Sequence, residues 1–127
     1  MRIALDTHQY ARFCEGGGDV VRTVHGAERV FLPFITLAEL RSGFLYGTKL
    51  EDNERTLHRF LNSPRVAVLF ADEQTIHHYA RVYLQLRRQG TPIPTNDIWI
   101  AALVIQHDLI LCARDQHFDL LPQLPRV

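Results

Sequence analysis

Short apolar runs alternate with segments of helical periodicity along the whole chain, and this alternation most limits the folds open to it. The runs predicted as strands are 2–5, 30–32, 66–70 and 109–112. The segments predicted as helices are 7–14, 19–25, 36–45, 53–61, 73–89, 96–105 and 116–121. Strands joined through helices pair in parallel, and parallel sheets are covered by helices on both faces. The order therefore predicts an α/β fold with a parallel central sheet.

Acidic residues stand where this fold places its ligands, beyond the carboxyl ends of the strands. Asp6 follows the first strand, and Asp115 follows the fourth. Glu39 is predicted in the first turn of the helix after the second strand, and Asp97 in the first turn of the helix after a proline-rich loop. Because the carboxyl ends of parallel strands share one edge, we expect these four carboxylates to meet there.

Each acid also has a local explanation. Glu39 comes three places after Thr36 in the stretch TLAE, a pattern typical of a capping box. Asp97 gains about 0.3–1 kcal/mol from the helix macrodipole. Asp6 can cap the following helix, and Asp115 can be a turn residue. Local roles leave the convergence of four acids on one edge unexplained.

A cluster of carboxylates has a chemical consequence. Two carboxylates about 4 Å apart repel by about 4 kcal/mol at an effective dielectric constant near 20. Such a cluster raises a pKa or recruits a cation. With no cysteine or histidine at zinc-ligand spacing, oxygen donors favour Mg²⁺ or Mn²⁺. A cation held this way activates water and neutralises phosphate charge, so the pattern predicts metal-dependent phosphodiester cleavage.

Four segments carry a family resemblance: ALDTH, TLAELRSG, PTNDIWIAA and CARDQHF. In this order and spacing they resemble the four acidic motifs of PIN-domain nucleases, and most of all those of the VapC toxins of type II toxin–antitoxin pairs. The resemblance covers nearly the whole chain. It implies a single PIN-like domain over 1–127, with three α/β/α layers and a mostly parallel sheet of four or five strands.

The resemblance also implies roles for the four acids. Asp6, Asp97 and Asp115 match metal ligands, and Glu39 matches a glutamate that orients the attacking water or completes the outer shell of the metal. Thr7 matches a hydroxyl that often follows the first aspartate. The implied activity is that of a Mg²⁺- or Mn²⁺-dependent endoribonuclease toxin. The implied partners are an RNA substrate such as tRNA or rRNA, a cognate antitoxin and a second copy of the chain.

One position departs from the family pattern. The fourth motif often has Ser or Thr two places before its aspartate, where this chain has Ala113. Asp119 lies nearby but is expected on the surface of the last helix. His117 is interpreted as a turn or capping partner, and Arg114 as a phosphate contact or a solvent-facing side chain.

Two other functions remain open. One is a different metal-dependent phosphotransfer enzyme, such as a phosphatase or a receiver domain, which needs a lysine near its aspartate. The only lysine, Lys49, stands in the wrong region for that. The other is a non-catalytic PIN-like module that binds RNA or a protein partner. The presence of all four acids argues against it.

Composition excludes little. Fourteen basic residues balance fourteen acidic ones, so net charge points to no class of partner. No apolar run approaches the ~20 residues of a membrane span, and no secretory signal is visible. Cys14 and Cys112 follow no metal spacing and are expected to be free thiols of a cytoplasmic protein.

Overall fold

The computed structural model describes residues 1–127, with four strands, six α-helices and one short 3₁₀ helix. The strands are β1 (Arg2–Leu5), β2 (Arg29–Pro33), β3 (Val66–Leu69) and β4 (Ile110–Cys112). The helices are α1 (Thr7–Cys14), α2 (Gly18–Gly26), α3 (Phe34–Tyr46), α4 (Leu50–Leu61), α5 (Glu73–Gln89), α6 (Thr95–Gln106) and the 3₁₀ helix (Gln116–Leu120). None of the helices is both long and apolar enough to cross a bilayer.

The four strands form one parallel sheet in the order β3-β2-β1-β4. Ile3 of β1 stands opposite Val30 of β2 and Ile110 of β4, so the carboxyl ends of these strands lie at a common edge. The C-terminal tail extends the sheet beyond β4 through a parallel bridge between Leu111 and Arg126. The predicted α/β fold with a central parallel sheet is confirmed.

Helices cover both faces of the sheet, as the strand pattern requires. Successive side chains of β1 point to opposite faces. Ile3 and Leu5 pack in one buried cluster with residues of α1, α2 and α4, whereas Ala4 packs in the other cluster with residues of α5 and α6. The two clusters are the two apolar layers between the sheet and the helices on its two faces.

Helix α6 is the most deeply buried helix because it is apolar on nearly every side. Six consecutive or near-consecutive side chains are buried: Ile98, Ile100, Ala101, Ala102, Leu103 and Val104. The small alanines, both fully buried, allow neighbouring elements to approach α6 closely. This burial fixes the first turn of α6, which carries Asp97.

The start of α3 differs from the prediction. The helix begins at Phe34 rather than at Thr36, directly after Pro33. Thr36 is fully buried, and its hydroxyl donates to the carbonyl oxygen of Leu5 at 3.1 Å instead of capping the helix. Glu39 therefore lies in the second turn of α3, and the capping-box interpretation of TLAE is wrong. The cause is a tertiary contact with the end of β1.

Helix α5 has the predicted ends but a different buried face. Asp72 caps it by accepting from the backbone N–H of Thr75 at 3.2 Å, and Gly90 ends it in the left-handed region at φ 70°. The spacing of Ile76, Tyr79, Ala80 and Tyr83 predicts one buried apolar face, but Ile76 is 57% exposed and Tyr83 is 46% exposed. Instead Thr75, Val82 and Leu86 are the buried side chains of α5.

The unbroken apolar run 66–70 predicts a strand buried on both faces, and this prediction is wrong for β3. All four of its residues are only half-buried, and the strand ends at Leu69, which leaves Phe70 67% exposed. The reason is its place in the sheet, because β3 is an edge strand.

Candidate functional site

An acidic pocket opens at the carboxyl edge of the sheet. It is a cavity of about 480 Å³. The carboxylates that line it are those of Asp6, Glu39, Asp97 and Asp115. They lie directly after β1, in the second turn of α3, in the first turn of α6 and three residues after the end of β4. The four carboxylates therefore meet at one edge of the sheet, as expected.

Asp6 is the most buried of the four, with 5% exposure. It caps α1, because its Oδ1 accepts from the backbone N–H of Gln9 at 2.8 Å. Burial, followed by the negative charges of Asp115 and Asp97, raises the pKa of Asp6 to about 6, against lowering effects from Gln9 and His8. The capping and pocket roles thus coexist in one side chain.

Asp97, Asp115 and His117 form the tightest group in the pocket. One possible ligand atom from each lies within 4.8 Å of the others. His117 Nδ1 is 2.9 Å from Asp97 Oδ2 and 3.0 Å from Asp115 Oδ1. Burial raises the pKa of Asp97, and the hydrogen bond from His117 opposes that rise. The imidazole therefore ties the third and fourth acids together.

Asp115 is held by its backbone as well as its side chain. Its Oδ1 accepts from the backbone N–H of His117 at 2.9 Å and so caps the 3₁₀ helix. The guanidinium of Arg126 donates to the carbonyl oxygens of Ala113 at 3.1 Å and Asp115 at 3.2 Å. The C-terminal tail thus clamps the segment that presents the fourth carboxylate.

Glu39 lies across the pocket on an exposed face of α3. The Thr7 hydroxyl donates to Glu39 Oε1 at 2.8 Å, and the Asn96 side chain donates to Oε2 at 3.5 Å. The longer second contact leaves Oε2 the more available of the two oxygens. A carboxylate oriented in this way can accept a proton from a molecule in the pocket.

The sequence of this chain is similar to that of known proteins of one family. The model of the PIN domain family matches residues 12–124. This chain belongs to the PIN domain family. Ribonuclease VapC1 of Haemophilus influenzae strain R2866 is 36% identical over 84 residues, which are 66% of this PIN domain chain and 61% of that relative's length. Ribonuclease VapC4 of Mycobacterium tuberculosis is 30% identical over 90 residues, 71% of this chain and 69% of the relative.

Solved structures give the same family. A chain of VapBC-1 from nontypeable Haemophilus influenzae superposes on this PIN domain with a TM-score of 0.87 and 27% identity, covering 100% of this chain and 97% of the other. The resemblance to PIN-domain proteins of the VapC type is therefore confirmed.

The PIN domain brings all four predicted site residues to one pocket, together with a histidine. The compact group contains Asp97 and Asp115, yet its third member is His117, and Asp6 lies outside it. From the sequence, His117 is interpreted as a turn or capping partner. Its position two residues after Asp115, at the sheet edge, is the sequence feature that indicates a place in the pocket.

The structure also shows where the residues of the unusual fourth motif lie. Ala113 is 3% exposed, packs in the core on the α6 side and lines a different cavity from the acidic pocket. Asp119 is exposed, as expected, and pairs with Arg126. Arg114 pairs with Asp19 of α2 rather than standing free in solvent.

Proposed function

We propose that this PIN domain is a divalent-metal-dependent endoribonuclease and the toxin of a toxin–antitoxin pair. The observation that carries the proposal is the convergence of four acids from four separate segments in one pocket. The similar relatives are named ribonuclease VapC, which supports RNA as the substrate class.

The donor set fits Mg²⁺ or Mn²⁺. Carboxylate oxygens predominate, as these hard cations require, and the imidazole of His117 adds a single nitrogen donor. Burial, and to a smaller extent the charges of Asp115 and Asp97, raises the pKa of Asp6, and a cation in the pocket would favour its charged form. Asp97 and Asp115 would hold the cation, with Asp6 and His117 as the further donors. When bound, it supplies electrostatic stabilisation of the phosphate's developing charge.

The remaining residues orient the attacking water. Glu39 Oε2 is the oxygen that takes the proton of the water, because Oε1 accepts from the Thr7 hydroxyl at 2.8 Å whereas the Asn96 contact to Oε2 is longer, at 3.5 Å. Asn96 donates to the same carboxylate and limits its rotation. Catalysis by this site is then a matter of position and charge, with one carboxylate serving as general base.

The proposed partners are an RNA such as tRNA or rRNA, a cognate antitoxin and a second copy of the chain. Similar solved chains come from structures titled VapBC, including that of Haemophilus influenzae, which supports a protein partner. The apolar side chains that α5 leaves exposed, Ile76, Tyr83 and Leu84, are available for contact between copies. Size measurement by light scattering tests the homodimer directly.

The phosphotransfer alternative finds no support in the pocket. Lys49, the only lysine, lines a separate groove with Tyr10, Leu40 and Phe44. A phosphatase or receiver domain would need that charge beside the acids. The non-catalytic alternative is left to the cleavage test.

Cleavage of structured RNA by the purified chain, freed of any bound protein, tests the proposal. We expect cleavage with Mg²⁺ or Mn²⁺, none with EDTA, and a large loss in Asp97→Asn. Asp108→Asn is a matched control, since it makes the same change at an exposed aspartate that lines neither cavity. Cleavage that persists in EDTA, or in Asp97→Asn at the wild-type rate, would contradict the proposal. A metal-loaded chain that binds RNA but never cleaves it would support the non-catalytic module instead.

A further inference from the structure

A second cavity adjoins the acidic pocket, and we call it the arginine cavity after the side chains of Arg114 and Arg126 that line it. Its volume is about 460 Å³, and Asp19 of α2 lines it as well, paired with Arg114. No side chain of this cavity contacts the cation or the attacking water in the proposed mechanism; Arg126 acts only through the backbone of Asp115.

The two cavities share a wall. Arg114 and Asp115 are adjacent in the chain, yet Arg114 lines the arginine cavity and Asp115 lines the acidic pocket. Gln9 is a second residue shared by the two cavities. Its backbone N–H donates to Asp6, which lines the acidic pocket, and Gln9 itself lines the arginine cavity. A ligand in one cavity is therefore a neighbour of a ligand in the other.

Positive charge is in excess at the shared wall. The single carboxylate of Asp19 forms ion pairs with two guanidinium groups. Arg12 lies 2.8 Å from Oδ1, and Arg114 contacts Oδ2. The Arg114 side chain is 61% exposed and that of Asp19 is 41% exposed. Ion pairs this exposed contribute little to stability, so Asp19 can be exchanged for another anion at small cost.

The chemistry of the arginine cavity matches a phosphodiester. Guanidinium groups bind phosphate oxygens through paired hydrogen bonds, and two of them meet at the position of the Asp19 carboxylate. An RNA strand that presents one phosphate to the acidic pocket carries other phosphates along the same backbone. The shared wall allows one of these to reach Arg114.

We propose that the arginine cavity binds a phosphate of the RNA next to the one being cleaved, and that Asp19 occupies this subsite as an internal anion until RNA displaces it. The inference rests on the proposed function, because it takes RNA as the substrate. Arg114 is a substrate-binding residue in this view, and Asp19 lowers RNA affinity by competing for it.

Binding measured without turnover tests the subsite independently of cleavage. The probe is a short fluorescein-labelled single-stranded RNA, followed by fluorescence anisotropy in EDTA. Arg114→Ala should weaken binding about tenfold, the lower end for a hydrogen bond to a charged group. The slope of log affinity against log salt should fall by about 0.7 for one lost phosphate contact. Asp19→Asn should tighten binding, and this gain should shrink in the Arg114→Ala background.

The control is Arg88→Ala, which removes the same charge from α5, outside both cavities. Thermal melts establish that each variant is folded, and Arg114→Lys keeps the charge without the guanidinium fork. Equal RNA affinity in wild type, Arg114→Ala and Arg88→Ala would overturn the subsite. Weaker RNA binding in Asp19→Asn would overturn the role of Asp19.

The outcomes also separate this inference from the proposed function. Normal metal-dependent cleavage with an unchanged KM in Arg114→Ala would leave the nuclease intact and remove the subsite. A KM raised with an unchanged kcat would support it. If a glutamate-rich peptide displaced RNA and bound more tightly with the same dependence on Arg114, the cavity would belong to an acidic protein partner and the proposal would fail.

Discussion

Replacing Asp6 by asparagine should stabilise the metal-free protein at neutral pH. The buried carboxylate of Asp6 lies near Asp115 and Asp97, and burial and these charges together raise its pKa. Asparagine has nearly the same shape and removes the charge. It also preserves the cap on α1, because asparagine and aspartate are about equally good at that position.

The magnitude follows from the pKa. The pKa of Asp6 is about 6 in the folded protein against 3.8 ordinarily, and each unit of difference corresponds to about 1.36 kcal/mol. The charged Asp6 therefore costs about 3 kcal/mol at neutral pH. Because the folded state holds the proton more tightly than the unfolded state, this cost is absent below the ordinary pKa and grows as pH rises from 3.8 to about 6.

Urea unfolding in EDTA measures the effect. Asp6→Asn should raise the free energy of unfolding by about 3 kcal/mol at neutral pH and by about half as much at pH 5. Asp6→Ala is the control, since it removes the same charge but loses the cap at a cost of about 1 kcal/mol. Adding Mn²⁺ at about 100 times its dissociation constant should stabilise the wild type by about 2.7 kcal/mol and the variant by less.

Two results would refute this reasoning. One is an equal free energy of unfolding for wild type and Asp6→Asn at neutral pH without metal. The other is a difference that stays constant between pH 5 and neutral pH, because a constant difference cannot come from the titration of Asp6. Either result would mean that burial and neighbouring charge do not raise the pKa of Asp6 in the folded protein.

Three further predictions concern residues around the pocket. His117→Ala should weaken Mn²⁺ binding at least about 10-fold, because the cation loses a donor and Asp97 and Asp115 lose the imidazole between them. An unchanged affinity in a titration followed by Mn²⁺ electron paramagnetic resonance would contradict this. Arg126→Ala should lower kcat, because Asp115 loses the clamp on its backbone; an unchanged kcat would count against that. Thr36→Val should cost about 1–3 kcal/mol, since the Leu5 carbonyl loses a buried donor, and chemical denaturation giving no loss would show that another donor replaces it.

Local chemistry explains which features were predictable from the sequence. Helix α1 has the predicted bounds, and α5 begins after Asp72 and ends at Gly90, because caps and left-handed glycines act within a few residues. The convergence of Asp6, Asp97 and Asp115 was predictable for a different reason. Strand–helix alternation forces a parallel sheet, and a parallel sheet brings its carboxyl ends to one edge.

The features that failed depend on neighbours distant in the chain. The apolar pattern of α5 suggested that Ile76 and Tyr83 face the core, but packing against α6 selected a different face of the helix. Thr36 looked like a cap until the end of β1 supplied a buried acceptor for its hydroxyl.

The sequence by itself determined the α/β class, the strand order along the chain and the set of acids at the edge, because periodicity and chain connectivity are local or topological properties. Only the tertiary structure decided that His117 joins Asp97 and Asp115, that burial raises the pKa of Asp6, and that Arg114 turns toward Asp19. Distances of a few ångströms between side chains, and the burial that sets their charge, arise only when separate elements pack together.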